Sequence, residues 1–183
     1  MSEAELLLKL RHWLQTQEGE PTLFDAIGTG DGELVAAFIL KGFQARRGSV
    51  RTVSEITMDD LGTTIDCTRK VLRAFEALSR IWRLTGHERL KLLGLSDQGE
   101  LDRLGQLPLE ELPIDLIERI FTLANIAGSV RTLLPRPTVA PGWIRKPNRH
   151  ALFSGRSALD LMLEKDLEGM RAVRSYLLAE VSR

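Results

Sequence analysis

The sequence predicts an all-α fold. Apolar residues recur at spacings of three and four along most of the 183 residues, and no set of segments alternates apolar with polar. Glycine and proline mark the ends of the periodic stretches.

Leu6, Leu7, Leu10, Trp13 and Leu14, with Glu3, Glu5, Lys9 and Arg11 between them, specify an amphipathic helix over 3–16. Gly19 and Pro21 stop it. Leu34, Val35, Phe38, Ile39 and Phe43 form a second stripe over 33–46, with Asp31 near its N-cap. It runs to Arg46 and Arg47, whose charges suit the negative pole of a helix dipole, and Gly48 ends it. Residues 49–65 are Ser/Thr-rich, interrupted by Gly62, and read as a linker with a short extended piece around Val50–Val53.

Val71, Leu72, Phe75, Leu78, Ile81 and Trp82 mark a long helix from about Asp66. Thr85 with Glu88 three residues later has the form of a capping box, and Gly94 stands where that helix ends. Ser96 is the expected cap of a short helix through Leu104. Pro113 opens the most apolar helix, with Ile117, Ile120, Phe121, Ala124, Ala127 and Val130 as its buried face and Pro135 beyond it. Ser157 is placed to cap a helix carrying Leu159, Leu161 and Met162. Leu167, Met170, Val173, Leu177 and Val181 form the last amphipathic stripe.

The totals exclude several classes. Twenty-five basic residues balance twenty-five acidic ones, so the general basic excess of many nucleic-acid binders is missing. A single cysteine, Cys67, rules out an internal disulfide and a cysteine-rich zinc site. The acidic start lacks the basic lead of a signal peptide, and no apolar run approaches the ~18 residues of a membrane span. The expectation is a cytoplasmic protein with no membrane partner.

Four constellations invite a chemical reading. Gly28, Gly30 and Gly32 follow an apolar run and precede a helix, as a cofactor loop would. Such a loop needs a parallel sheet around it, and the rest of the chain supplies helices. His12, His87 and His150 are far apart in sequence and form no close ligand pair. Ser154 and Ser157 flank Gly155 without forming a nucleophile elbow. No catalytic residue, cofactor or metal is expected.

Residues 87–104 have the grammar of a helix-turn-helix, with Gly94 at the turn and Leu95 in the angle. Arg89, Ser96, Gln98 and Arg103 are its candidate DNA contacts. Asp97, Glu100 and Asp102 on the second helix oppose a polyanion, which favours a packing unit over base reading.

The stretch from Gly142 to Met162 combines Trp143, Pro147, the glycines Gly142 and Gly155, and five basic groups. Pro147 and Asn148 make a stiff turn, and Gly155 frees a backbone angle. Arg145, Lys146, Arg149, His150 and Arg156 are left for solvent. That is a recipe for a protein interface, although a structural corner with Trp143 and Phe153 in the core is compatible with the same residues.

From about Leu78 the chain resembles the Xre/MbcA/ParS antitoxin family, partners of RES-domain toxins. The pieces that carry the resemblance are LSRIWRLTGHERLKLLGL, LIERIFTLANIAGSVRTLL, APGWIRKPNRHALFSGRSALDLM and GMRAVRSYLLA, in that order. The third is the most specific. The resemblance implies a helical Xre-like domain at 66–135 and a small toxin-binding domain at 136–183, after a helical extension and linker at 1–65.

It also implies a homodimer, no enzymatic activity of its own, and a toxin that consumes NAD and is blocked by occlusion of its active site. The toxin interface expected on that basis comprises Trp143, Arg145, Lys146, Pro147, Asn148, Phe153, Gly155, Arg156 and Ser157, with Arg171 and Arg174 on the last helix. The alternative function is a transcriptional autoregulator that binds operator DNA through 87–104. The two N-terminal stripes, over 3–16 and 33–46, cannot bury both their faces on each other alone and are expected to pack on the C-terminal part of the chain or on a second copy of it.

Overall fold

The structure, a computed structural model, describes residues 3–17, 23–29, 31–46, 64–136 and 139–183. Among them every regular element is helical: α1 (Glu3–Gln15), α2 (Leu23–Gly28), α3 (Gly32–Arg46), α4 (Thr64–Ile81), α5 (Gly86–Leu93), α6 (Gln98–Leu104), α7 (Ile114–Leu133), α8 (Ala140–Trp143) and α9 (Ala158–Val181), with a 3-10 turn at Leu109–Glu111. The all-α expectation holds. The expected linker over 49–65 with its extended piece lies outside the described residues up to position 63, as do the helix stops at Gly19, Pro21 and Gly48. Thr64 and Ile65 already belong to α4.

The chain forms two compact units. The first comprises residues 1–70 and 103–118, the second 71–102 and 119–183. In the first unit, Leu6 and Leu10 of α1, Ala26 of α2, and Leu34, Val35, Ala36, Ala37 and Ile39 of α3 are buried. α3 packs on α1, on α2 and on the 3-10 turn, whose Leu109 is fully buried. That turn, at 109–111, covers part of the α3 stripe. Trp13 meets Phe38 edge-on at 6.2 Å, a favourable quadrupole geometry. The side chain of Phe43 lies outside the described set.

Asp31 caps α3, its Oδ1 accepting from Glu33 N at 3.1 Å and Leu34 N at 3.2 Å. Lys9 of α1 reaches both Asp31 (2.7 Å) and Glu33 (2.5 Å), and the Asp31 carboxylate, then Glu33, raises its pKa. The glycine-rich stretch is therefore a helix-to-helix connection. Residues 23–28, expected only as an apolar run, form a short helix instead.

In the second unit the core is built from Phe75 of α4, Trp82 just beyond its end, Leu92 and Leu93 of α5, Ile120, Leu123, Ile126 and Val130 of α7, Ile144, Phe153, and Leu159, Leu161, Met162, Met170, Val173 and Leu177 of α9. Each such side chain contributes about 1.5–3 kcal/mol on burial. The buried stripe of α7 is rotated from the expected one. Leu123 and Ile126 point inward, while Ala124 is exposed and Phe121 and Ala127 are half-buried. The larger side chains take the interior because they remove more apolar area from water.

α9 is two helical segments joined at Asp166, whose φ of 53° and ψ of −139° are non-helical. The carboxylate of Asp166 compensates by pairing with Arg119 of α7 at 2.5 and 2.7 Å. Arg119, its side chain only 6% exposed, also donates to Leu92 O at 3.4 Å.

Candidate functional site

The corner between α7 and α9 is defined by backbone closure. Gly142 N donates to Val139 O within α8, and Lys146 N to Trp143 O in the turn that follows it, before the chain leaves at Pro147. Asn148 N then donates to Arg156 O at 3.0 Å, and Gly155 N to Asn148 O at 3.0 Å. These two bonds close residues 148–156 into a loop. The Asn148 side chain accepts from His150 N at 2.9 Å, an Asx-type turn. Within the loop, His150 O accepts from both Phe153 N and Ser154 N. Ser154 (φ 51°) and Gly155 (φ 81°) make the left-handed reversal. Gly155 has open space where a Cβ would be, so its requirement is the backbone angle alone.

Phe153 is the anchor. It is fully buried, with Trp143 edge-on at 6.1 Å, Tyr176 edge-on at 5.1 Å and His150 at 6.3 Å. His150 lies against Tyr176 at 4.6 Å. After the loop, Ser157 starts α9 with a full capping box: its Oγ accepts from Asp160 N, and Asp160 accepts from Ser157 N at 3.0 Å. The Ser157 hydroxyl and backbone amide hold the Asp160 carboxyl below its usual range. Leu159 N donates to the buried Ile144's carbonyl at 2.8 Å, joining the two sides of the corner.

The expected interface residues fall into three groups. Phe153 and Ser157 are buried, and Trp143 and Asn148 are half-buried; all four shape the corner from within. Arg145 and Arg156 are committed inside the molecule. Arg145 Nε donates to Trp82 O at 3.1 Å, Nη2 to Arg83 O at 2.8 Å, and both Nη atoms to Glu88. Arg156 pairs with Glu164. Neither is the group left to solvent that the sequence suggests, because a carboxylate within reach captures a guanidinium more readily than water does. Lys146 and Arg149 remain exposed, and their side chains make no hydrogen bond or ion pair among the described residues. Pro147 and Gly155 are exposed between them. Arg171 is exposed and Arg174 half-buried on α9, each with interactions of its own.

Glu88 is the partner sequence reasoning missed at this corner. It was legible as half of a capping box, and that role is real: Thr85 N donates to Glu88 Oε2 at 2.7 Å and Glu88 N to Thr85 Oγ1 at 3.2 Å. Nothing local signals that Arg145 also reaches it. The Arg145 hydrogen bonds, opposed by burial, bring the Glu88 pKa down to about 2. Tyr176, the chain's single tyrosine, was also missed. It sits beside Leu177 on the wall of a groove of about 210 Å³, lined by Val130, Leu133, Leu134, Trp143, Tyr176, Leu177 and Glu180.

Over 87–104, Gly94 adopts φ 72° and ends α5, as its position predicts. Its Cα abuts Arg119: a Cβ there would lie 2.9 Å from the guanidinium carbon. Ser96 does not cap α6. Asp97 does, accepting from Glu100 N at 2.8 Å, while the Glu100 carboxylate reaches back to Ser96 N at 2.9 Å. A carboxylate one residue closer to the first turn gains from the helix dipole as well as from the bond. Of the candidate DNA contacts, Gln98 is held by Asp102 at 2.9 Å, Arg89 faces Glu76 at 3.8 Å, and Ser96 and Arg103 are exposed. Among the described residues no cluster of three metal-ligating side chains occurs, and no helix is long and apolar enough to cross a membrane.

Residues 129–180 match the family described as the antitoxin Xre/MbcA/ParS C-terminal toxin-binding domain. The uncharacterized protein y4oB of Sinorhizobium fredii is 34% identical over 109 residues, which are 60% of this chain and 82% of that protein. No solved structure matches.

Proposed function

The chain belongs to the Xre/MbcA/ParS antitoxin family, and on that premise we propose that it neutralises a RES-domain, NAD-consuming toxin by covering the toxin's active site, without catalysing a reaction itself. The observation that carries the reading is the position of the match. All seven residues lining the 210 Å³ groove, the closed loop 148–156 and the cations Lys146 and Arg149, which have no partner among the described residues, lie inside the matched toxin-binding segment.

Physically, this segment suits a blocking role. The loop is fixed by its two closing bonds, the buried Phe153 and the Ser157 cap, so little order has to be gained on binding. The groove offers the half-buried Trp143 and the exposed edge of Leu133 to an apolar side chain of the toxin. Lys146 and Arg149 supply a cationic rim that steers association with an acidic surface. Trp143, Asn148, Phe153, Gly155, Arg156 and Ser157 act by holding that shape, and Pro147 by stiffening the entry to the loop. A homodimeric, cytoplasmic antitoxin is the assembly we propose.

Co-expression with a RES-domain toxin, followed by purification and an NAD-consumption assay, tests the proposal. A stable complex with suppressed NAD turnover is expected. Absence of a complex together with undiminished turnover overturns it.

A further inference from the structure

The second unit contains a cationic cleft that the toxin-binding reading does not use. It has a volume of about 330 Å³ and is lined by Glu76, Ser79, Arg80, Arg83, Leu84 and Arg89, at the end of α4 and the face of α5. Three arginines and one glutamate are among its lining residues.

Arg83 is the informative residue. α4 and α5 end in the same way. Leu95 N donates to Leu90 O and Gly94 N to Lys91 O; equally, Leu84 N donates to Ser79 O and Arg83 N to Arg80 O. This is a Schellman cap, which places one residue in the left-handed region and selects glycine there. α5 uses Gly94 at φ 72°, whereas α4 puts Arg83 there at φ 53°. A side chain in that position costs stability, so an arginine there directs attention to what its guanidinium can do. The Arg83 guanidinium makes no hydrogen bond or ion pair among the described residues.

Its neighbours are under-used as well. Arg89 Nε is buried without a hydrogen-bond partner, and its Nη2 stands 3.8 Å from Glu76, too long for a bond. Arg80 spends only its Nε, at 3.4 Å on Glu76 O. The carbonyls of Trp82 and Arg83, whose negative pole would repel an anion, are occupied by Arg145.

From this geometry we propose that the cleft binds a phosphate group. Three planar forks offer more donors than the two oxygens of a carboxylate can accept, and they match a tetrahedral oxyanion. The Ser79 hydroxyl donates to Phe75 O at 2.8 Å, so recognition falls to the arginines. The phosphate is either that of a small oligophosphate or that of a nucleic-acid backbone. In the second case the contact fixes position and carries no base sequence.

Arg83→Gly tests the site, because it removes the guanidinium while relieving the backbone. Calorimetric titration of the full chain with inorganic pyrophosphate and with a 20-base-pair DNA duplex, each at low and physiological salt, supplies the probes. We expect at least one to bind, about tenfold or more weakly in Arg83→Gly, with an unchanged or higher melting temperature. Arg80→Gln should weaken the same probe. Tight pyrophosphate with poor duplex binding identifies a small ligand. Duplex binding that falls steeply with salt identifies backbone phosphate. If neither probe binds, or Arg83→Gly leaves the affinity unchanged, the proposal is wrong.

Discussion

Arg145 and Glu88, 57 residues apart, form a two-pronged ion pair, Nη1 to Oε1 at 3.0 Å and Nη2 to Oε2 at 2.8 Å. The same guanidinium holds the last carbonyls of α4's end, Trp82 and Arg83, and the same carboxylate receives Thr85 N at the start of α5. One pair of side chains thus fastens the corner of the matched toxin-binding segment to the α4–α5 junction. The Glu88 side chain is 16% exposed and that of Arg145 37%, so solvent screens the pair in part.

Arg145→Ala should therefore act first on stability. It leaves two carbonyls without this donor and a mostly covered carboxylate with only Thr85 N, which costs about 1–2 kcal/mol after allowance for screening. For a chain of this size that lowers the melting temperature by roughly 2–8 °C. A double-mutant cycle with Glu88→Gln, read by thermal denaturation, should show a coupling well above zero. Additive effects would mean that the pair does no work in the fold.

The same pair sets an acid limit. The folded pKa of Glu88, about 2, lies below its usual 4.5, so the stabilisation is complete above roughly pH 4.5 and fades as pH falls toward 2. Asp160 and Asp166, both also lowered, push in the same direction. Melting temperature against pH should fall on that acid limb, and Glu88→Gln should make the limb shallower. An identical acid limb in the variant would assign the loss to other groups.

Much of this was legible in local sequence, because its causes are local. The Thr85–Glu88 box, the left-handed Gly94 and the Ser157 cap follow from three- and four-residue spacings. The Asp166 break was legible only as two stripes, Leu159 to Met162 and Leu167 onward; the partner that Asp166 finds there, Arg119, lies 47 residues earlier and leaves no local signal. The interface residues were harder. Whether an arginine is free depends on what the fold brings beside it, so Lys146 and Arg145, adjacent in sequence, end with opposite fates. Arg83 carries no glycine signature for its turn and could not be read at all.

Gly169 should be intolerant of any side chain. A Cβ there would stand 2.4 Å from Leu161 O and 3.1 Å from Lys165 Cβ, so the two segments of α9 would have to move apart at Asp166. Gly169→Ala should cost about 1–3 kcal/mol, despite the better helix propensity of alanine. Gly86→Ala, which meets nothing within 4 Å, is the matched control and should leave the melting temperature unchanged or raised. Equal melting temperatures for the two variants would remove the close-packing argument.

The neighbouring cations Arg145, Lys146 and Arg149 should separate in a binding assay. Lys146 and Arg149 have no intramolecular partner among the described residues, so Lys146→Glu with Arg149→Glu leaves the fold and its melting temperature intact. On our reading they form the rim that meets the toxin, and each reversal should weaken the complex about three- to tenfold, mainly by slowing association and most strongly at low salt. Leu133→Asp places a charge in the groove beside Trp143 and should weaken the complex further, through faster dissociation and with little salt dependence. Arg145→Ala should lower the melting temperature more than it slows association. Surface plasmon resonance against an immobilised RES-domain toxin, paired with thermal denaturation, reads all of these variants. Unchanged association in the Lys146/Arg149 double variant would take the rim away from this corner; unchanged dissociation in Leu133→Asp would take the groove away from the interface.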